Sequence, residues 1–287
     1  MIRCWLRAAP VMAAVFAFSL PQAARALETV PFAFDDGTIR VQGTVNGRPY
    51  PMRIDLGAGI DVLSQSAGSR NVNVTSKFVT LNLTGQRVDL PVGSVVSMAL
   101  GQFTVNSKKI GIWGGLDGTG IDGLISASAF RDVTATFDFR QHQLLIEDAV
   151  SLPQRKQFTD RVPLTLQDEL DTSLGVFATF DFGNGQTGLC AITTGTRDIM
   201  IDRRFAAKLG VNLADPALKH VRTPLGEGIA ATIGSLSLLD DHRSAMQHPP
   251  VVFEDLVYDC NVGNDFWADK IFTLDIPQHM MYVAPPV

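Results

Sequence analysis

An aspartate placed just before a glycine, at the end of an apolar strand, either does acid–base work or makes a turn. The stretch Ile54 to Ser64, I-D-L-G-A-G-I-D-V-L-S, carries such a residue in Asp55. A second stretch, Ala191 to Ile201, A-I-T-T-G-T-R-D-I-M-I, repeats the frame with Thr193-Thr194-Gly195 where the first has Asp55-Leu56-Gly57. Two carboxylates in contact share one proton, and their like charge drives their pKa values apart, so one acts as acid and the other as base. A carboxylate facing a threonine lacks that division, because the hydroxyl does not titrate in the useful range. An isolated Asp-x-Gly is a turn former. Which description fits Asp55 depends on whether the chain brings the two stretches together.

Self-comparison shows how it would. F-D-F-R-Q-H-Q-L-L-I (Phe137 to Ile146) aligns with L-D-I-P-Q-H-M-M-Y-V (Leu274 to Val283) at an offset of 137, which also sets Asp122 on Asp259 and Phe130 on Trp267. Val45 to Pro49 aligns with Gly183 to Thr187 at 138, and V-P-F-A-F (Val30 to Phe34) with V-P-L-T-L (Val162 to Leu166) at 132. Block order is kept while the offset drifts, as loop insertions dictate. The chain therefore divides into residues 1–26, a first copy at 27–148, a linker at 149–159 with Pro153, Arg155 and Lys156, and a second copy at 160–287.

Each copy reads as all-β. Runs such as Ile39–Val45, Val95–Leu100, Thr134–Phe139 and Leu144–Ile146 are short and separated by Gly, Asn or Pro. Asn46-Gly47 and Asn184-Gly185 suit tight hairpins, which need positive φ at both central positions. The strongest helical signal is Asp202 to Leu209, with an Asp N-cap and Gly210 as terminator. A shorter counterpart falls near Ser64–Ser69, and single turns fit Ser126–Phe130 and Asn264–Trp267.

Arg3 and Arg7, the apolar run Ala8–Leu20 and Ala24-Arg25-Ala26 form an export signal with cleavage expected after Ala26. The run is shorter than the roughly 20 residues a membrane span takes. Cleavage removes three arginines and no acid, leaving 21 Lys and Arg against 29 Asp and Glu, a net charge of about −8. That balance disfavours nucleic acid and anionic membrane as partners. A secreted or periplasmic location is expected. Two cysteines remain, Cys190 and Cys260, either bridged or as two buried thiols. D-D-H-R-S-A-M-Q-H (Asp240 to His248) matches no metal spacing and reads as a surface loop, so no metal or other cofactor is expected. His142 and His279 share a Q-H turn. Asn73 and Asn82 begin N-x-T acceptor triplets.

The order N-G, apolar strand, I-D-x-G-A, two apolar residues, a distant D-G-L-I, F-D-F and a closing strand resembles the retropepsin/pepsin aspartic peptidases, in both copies. The resemblance implies two similar retropepsin-like β-barrel lobes related by a pseudo-two-fold axis, with a pepsin-like cleft between them. It places Asp55, Gly57, Thr193, Thr194 and Gly195 at the centre of that cleft. It gives Leu83 to Gln86, with Thr84 and Gly85, and Leu225 to Gly228, with Gly226 and Glu227, as hairpin flaps contacting substrate. It also runs the segments of Cys190 and Cys260 side by side, so a Cys190–Cys260 disulfide stapling the second lobe is expected.

Four positions depart from that family's pattern. Leu56 stands where Thr is expected, Thr193 replaces the second acid, Ser126 replaces a Gly, and Cys260 occupies the position of Gly123. Asp198 and Asp61 lie several residues beyond the paired-acid position and read as solvated or capping groups. The hydrolase class is implied by the resemblance, but losing one member of a cooperating set removes most of the rate. The expectation is an exported pseudoenzyme whose cleft holds a peptide or partner segment. An active peptidase with a second acid from elsewhere, including another chain, and a structural scaffold are the alternatives.

Overall fold

The computed structural model describes residues 28–107, 109–157, 159–223 and 226–284. The expected export signal at 1–26 and Leu225 of the second flap lie outside the described residues. The molecule is all-β, with two ten-stranded sheets and one six-stranded sheet. No helix among the described residues is long and apolar enough to cross a membrane.

The duplication is visible strand for strand. The first large sheet runs Asn73–Leu81, Arg87–Ser94, Ile110–Ile112, Asp61–Leu63, Gly123–Ile125, Arg48–Ile54, Thr38–Val45, Met98–Leu100, Phe103–Thr104, with Ala33–Asp35 also on Thr38–Val45. The second runs Lys219–Arg222, Glu227–Thr232, Pro250–Glu254, Ile199–Asp202, Cys260–Val262, Thr187–Ile192, Ser173–Asp181, Ser235–Leu238, Asp241–Gln247, with Thr165–Glu169 also on Ser173–Asp181. In each, the strand leading to the turn is paired in parallel with a later strand, Ile54 with Ile125 and Ile192 with Val262.

The six-stranded sheet joins the halves. Each copy's first strand pairs with its own last strand, and Thr134–Asp138 meets Ile271–Asp275 antiparallel at the centre. Thr136 faces Thr273 there, their hydroxyls 2.7 Å apart. These residues are equivalent under the 137-residue repeat, so the pseudo-two-fold passes between them. Large apolar side chains pack on one face of this seam, including Phe137 stacked on Phe272 with centroids 5.0 Å apart.

Local chemistry explains the connections. Asn46-Gly47 and Asn184-Gly185 both have positive φ, as the tight hairpins require. His142 and His279 take the same left-handed conformation, and their carbonyls accept from Phe32 N and Leu164 N, so the shared Q-H turn is a structural joint. The helical signals are partly exchanged. Asp202 caps Arg204 N and Gly210 ends the segment in left-handed geometry, but between them lie two 3₁₀ turns, Arg203–Phe205 and Ala207–Leu209. The weaker counterpart is the longer helix, α-helical over Gln65–Asn71 and capped by the Ser64 side chain. The surface loop expected around Asp241 is instead the strand Asp241–Gln247, with the Asp241 carboxylate buried and accepting from Arg243 N and Ser244 N.

Candidate active site

The two glycine turns meet across the lobe boundary. Asp55 N donates to Ile125 O at 2.8 Å, and Thr193 N donates to Val262 O at 3.2 Å, so each turn sits on the strand beneath it in the same way. Asp55 caps the 3₁₀ turn Leu56–Ala58, accepting from Gly57 N at 2.9 Å. Thr193 makes the equivalent bond with its hydroxyl, which accepts from Gly195 N at 3.2 Å. That hydroxyl then donates to Asp55 Oδ1 at 2.9 Å. The glycines are required by the close approach. A Cβ on Gly195 would overlap the Asp55 carboxylate, and one on Gly57 would come within 2.8 Å of Thr193 Oγ1.

Thr194 locks the halves from one side. Its hydroxyl donates to Ile54 O at 2.9 Å and accepts from Leu56 N at 3.2 Å. Leu56, in the equivalent place, is fully buried and has no polar atom with which to return these bonds. The lock is therefore one-sided, with apolar packing replacing the second pair.

Burial pushes the Asp55 pKa up. The Thr193 hydroxyl, the Gly57 and Gly195 amides and the positive field of Arg53 oppose it, each favouring the charged form. Among the described residues, no second carboxylate is one of the groups that act on it. Asp198 is half-buried, its pKa raised by burial and by Asp265. Asp61 proves fully buried rather than solvated, because it has its own task. Its carboxylate accepts from Ser126 N at 2.5 Å and from the Ser107 hydroxyl.

That contact accounts for the Ser126 departure. At Gly263, the equivalent position, a Cβ would run into the carbonyls of Arg197 and Asp198. In the first lobe Asp61 receives the Ser126 amide, and the serine hydroxyl caps Ser128 N. The remaining departure, Cys260 opposite Gly123, is the expected disulfide. Cys190 and Cys260 are direct neighbours on parallel strands, Cα atoms 4.5 Å apart, and bonded. In the first lobe the matching pair is Met52 over Gly123.

A cavity of about 280 Å³ opens above Asp55 and Thr193. Its first-lobe wall is apolar, from Ile60, Val62, Leu90, Trp113 and Leu124, and its second-lobe wall includes Val176, Phe177, Ala191 and Tyr258. The hairpin Asn73–Leu81/Arg87–Ser94 roofs it through Phe78, Leu81, Asn82 and Leu83. Thr84 and Gly85 form its tip, where Val257 N of the second lobe donates to Leu83 O at 2.9 Å. Gly226 and Glu227 form the equivalent tip in the second copy, outside the cavity lining. Among the described residues, no group of three or more His, Cys, Asp or Glu side chains could hold a metal ion.

An aspartic proteinase from Irpex lacteus is similar in structure over 90% of this chain and 97% of its own, with a TM-score of 0.58 and 14% identity. Basic 7S globulin from soybean is similar over 89% of this chain and 94% of its own, with a TM-score of 0.50 and 11% identity. No protein-family model and no curated protein matches the sequence. At such identities the likeness establishes the architecture: this chain has a bilobal, pepsin-like fold.

Proposed function

We propose that this chain is an exported, aspartic-peptidase-like protein whose interlobe cleft holds an extended peptide or protein segment without cleaving it efficiently. The observation that carries this is the hydrogen bond from the Thr193 hydroxyl to Asp55 at 2.9 Å. Amide hydrolysis by a carboxylate pair needs one group to take a proton from water and another to give one to the leaving nitrogen. Thr193 resembles the protonated member of such a pair, since it presents an O–H to Asp55 and leaves the site with one negative charge. It cannot exchange that proton at useful pH, so the cycle stops. What remains is a roofed cleft with backbone edges and apolar walls, suited to strand-like pairing with a peptide. Export is supported by the basic and apolar N-terminal sequence and by the disulfide.

The test is digestion of casein by the purified mature chain from acid to neutral pH, with and without pepstatin, alongside peptide binding measured by fluorescence anisotropy. Binding without pepstatin-sensitive cleavage is the expected result. Efficient pepstatin-sensitive cleavage would overturn the proposal. If that cleavage rose steeply with protein concentration, the second acid would come from another copy.

A further inference from the structure

Behind the apolar first-lobe wall of the cleft, on the strand that leads to Asp55 and the strand beside it, lies a pair of arginines with little to hold them. Arg40 and Arg53 are directly opposed on the antiparallel strands Thr38–Val45 and Arg48–Ile54. Opposed residues on one face have side chains about 5 Å apart at their bases, and like charges there repel. Among the described residues, each guanidinium has a buried Nε that meets no acceptor. An unmet buried donor is destabilising, so two in adjacent arginines point to a missing partner. Arg40 reaches Asp36 only at 3.5 Å through its outer nitrogen, in an exposed contact, and Arg53 makes no hydrogen bond among the described residues.

The position of the pair identifies the partner's location. Arg53 precedes Asp55 by two residues, so the two share a face, and it stands in register with Leu124, which lines the cavity. Under the pseudo-two-fold, Arg53 corresponds to Ala191, and its strand neighbour Arg40 to Phe177. Ala191 and Phe177 both line the cavity from the opposite lobe. The second lobe thus has apolar groups at the positions where the first has two cations, and on the first-lobe side the cavity reaches Asp55 and Leu124 next to Arg53.

We propose that Arg40 and Arg53 form a subsite for a carboxylate, and that the segment held in the cleft carries an Asp or Glu side chain beside the apolar residue seated above Asp55. This rests on the peptide-binding reading of the cleft and specifies the peptide. Asp55 and the bound acid do not compete, because Asp55 is already satisfied by Thr193, Gly57 and Gly195. A guanidinium fork suits a carboxylate, which accepts two parallel N–H bonds.

The experiment uses the mature chain and an octapeptide library in which one position beside an apolar residue is Glu, Gln or Lys. Glu peptides are expected to bind about tenfold more tightly than their Gln counterparts, as charge-assisted bonds at a partly buried site do. Arg53→Met and Arg40→Met should each bring that ratio near one while leaving affinity for Gln peptides within about twofold. A second readout separates recognition from a structural role: without peptide, Arg53→Met should melt at the same or a higher temperature, because it removes a repulsion. Peptides that bind with no preference for Glu, or a clear loss of melting temperature in Arg53→Met with the preference intact, overturn the subsite and leave the cleft's function standing. Failure of every peptide to bind overturns both.

Discussion

Thr193 Oγ1 donates to Asp55 Oδ1 at 2.9 Å while accepting from Gly195 N, so its single proton is committed to the carboxylate across the lobe boundary. On the proposed reading, Asp55 fills one position of a carboxylate pair and Thr193 stands at the other. Replacing the hydroxyl with a carboxylate would put two acids in contact, and they would have to share a proton. The double variant Thr193→Asp, Leu56→Thr is expected to gain pepstatin-sensitive cleavage of casein at acid pH, because the second change also supplies the missing half of the Thr194 lock. Adding Asp55→Asn should then reduce the rate by about a thousandfold or more. A folded, peptide-binding double variant with no activity would show that the turns are held in a non-hydrolytic arrangement by more than these two residues.

Asp61 makes stability depend on pH. Burial raises its pKa from 3.8 to about 6, so the folded protein holds this proton more tightly than the unfolded chain does. Between those values the unfolded state binds fewer protons, and stability falls as pH rises from about 4 to about 6 before levelling off. The full loss is on the order of 3 kcal/mol for a shift of this size. Asp61→Asn keeps an oxygen for Ser126 N and offers an amide to the Ser107 hydroxyl, and it removes the charge. Urea unfolding of both proteins across this range should give curves that converge at low pH, with the variant more stable at neutral pH. Parallel curves would mean that Asp61 is solvated in the unliganded protein.

The frame of this molecule was legible in the sequence because duplication leaves a trace that single motifs do not. Four blocks in order placed Asp55 opposite Thr193 and Cys190 beside Cys260 once the pepsin-like arrangement was assumed. What could not be seen came from pairs of anomalies that compensate each other in space. Ser126 in place of Gly and Asp61 inside an apolar strand each look like a departure alone. Together they make one buried hydrogen bond. Nothing in the sequence marks Arg40 and Arg53 as a pair, since alternation along a strand shows a face but not what lies opposite it. The exchange between the helices has a similar cause. Caps fix where the turns at Ser64 and Asp202 begin, but the pitch depends on packing, and Gly68 allows Gln65–Asn71 to lie against Ile112.

The disulfide should carry a large share of the second lobe's stability. It closes a loop with a sequence separation of 70, for which the chain-entropy account gives about 4 kcal/mol. Both cysteines are fully buried, so Cys190→Ala with Cys260→Ala also leaves a small void. Urea unfolding of the double variant should show the second lobe melting first, read through Trp267, its buried tryptophan. Reduction of the wild-type protein should reproduce that order. Unchanged unfolding in both cases would leave the Met52–Gly123 type of packing as sufficient for either lobe.

The roof hairpin is tied down on the far side of the cleft, and on the proposed peptide-binding reading this tie governs how a peptide enters. Val257 N donates to Leu83 O at 2.9 Å, one backbone bond between the hairpin tip of the first lobe and a loop of the second. Val257 is itself substantially exposed and faces Gly85, which has no side chain to pack on it, so apolar burial adds little to the tie. A solvent-accessible backbone bond of this kind contributes about 1 kcal/mol, which makes opening frequent yet keeps the closed form in the majority. An extended peptide cannot thread the cleft while the tie is made, so exchange should pass through the open form. Val257→Pro removes the donor without touching the cavity floor. Stopped-flow anisotropy should then show association and dissociation both accelerated about fivefold, with the dissociation constant changed much less. Hydrogen exchange should show Leu83 to Gln86 losing protection in the same variant. A variant that alters affinity but not rates would place the entry route elsewhere.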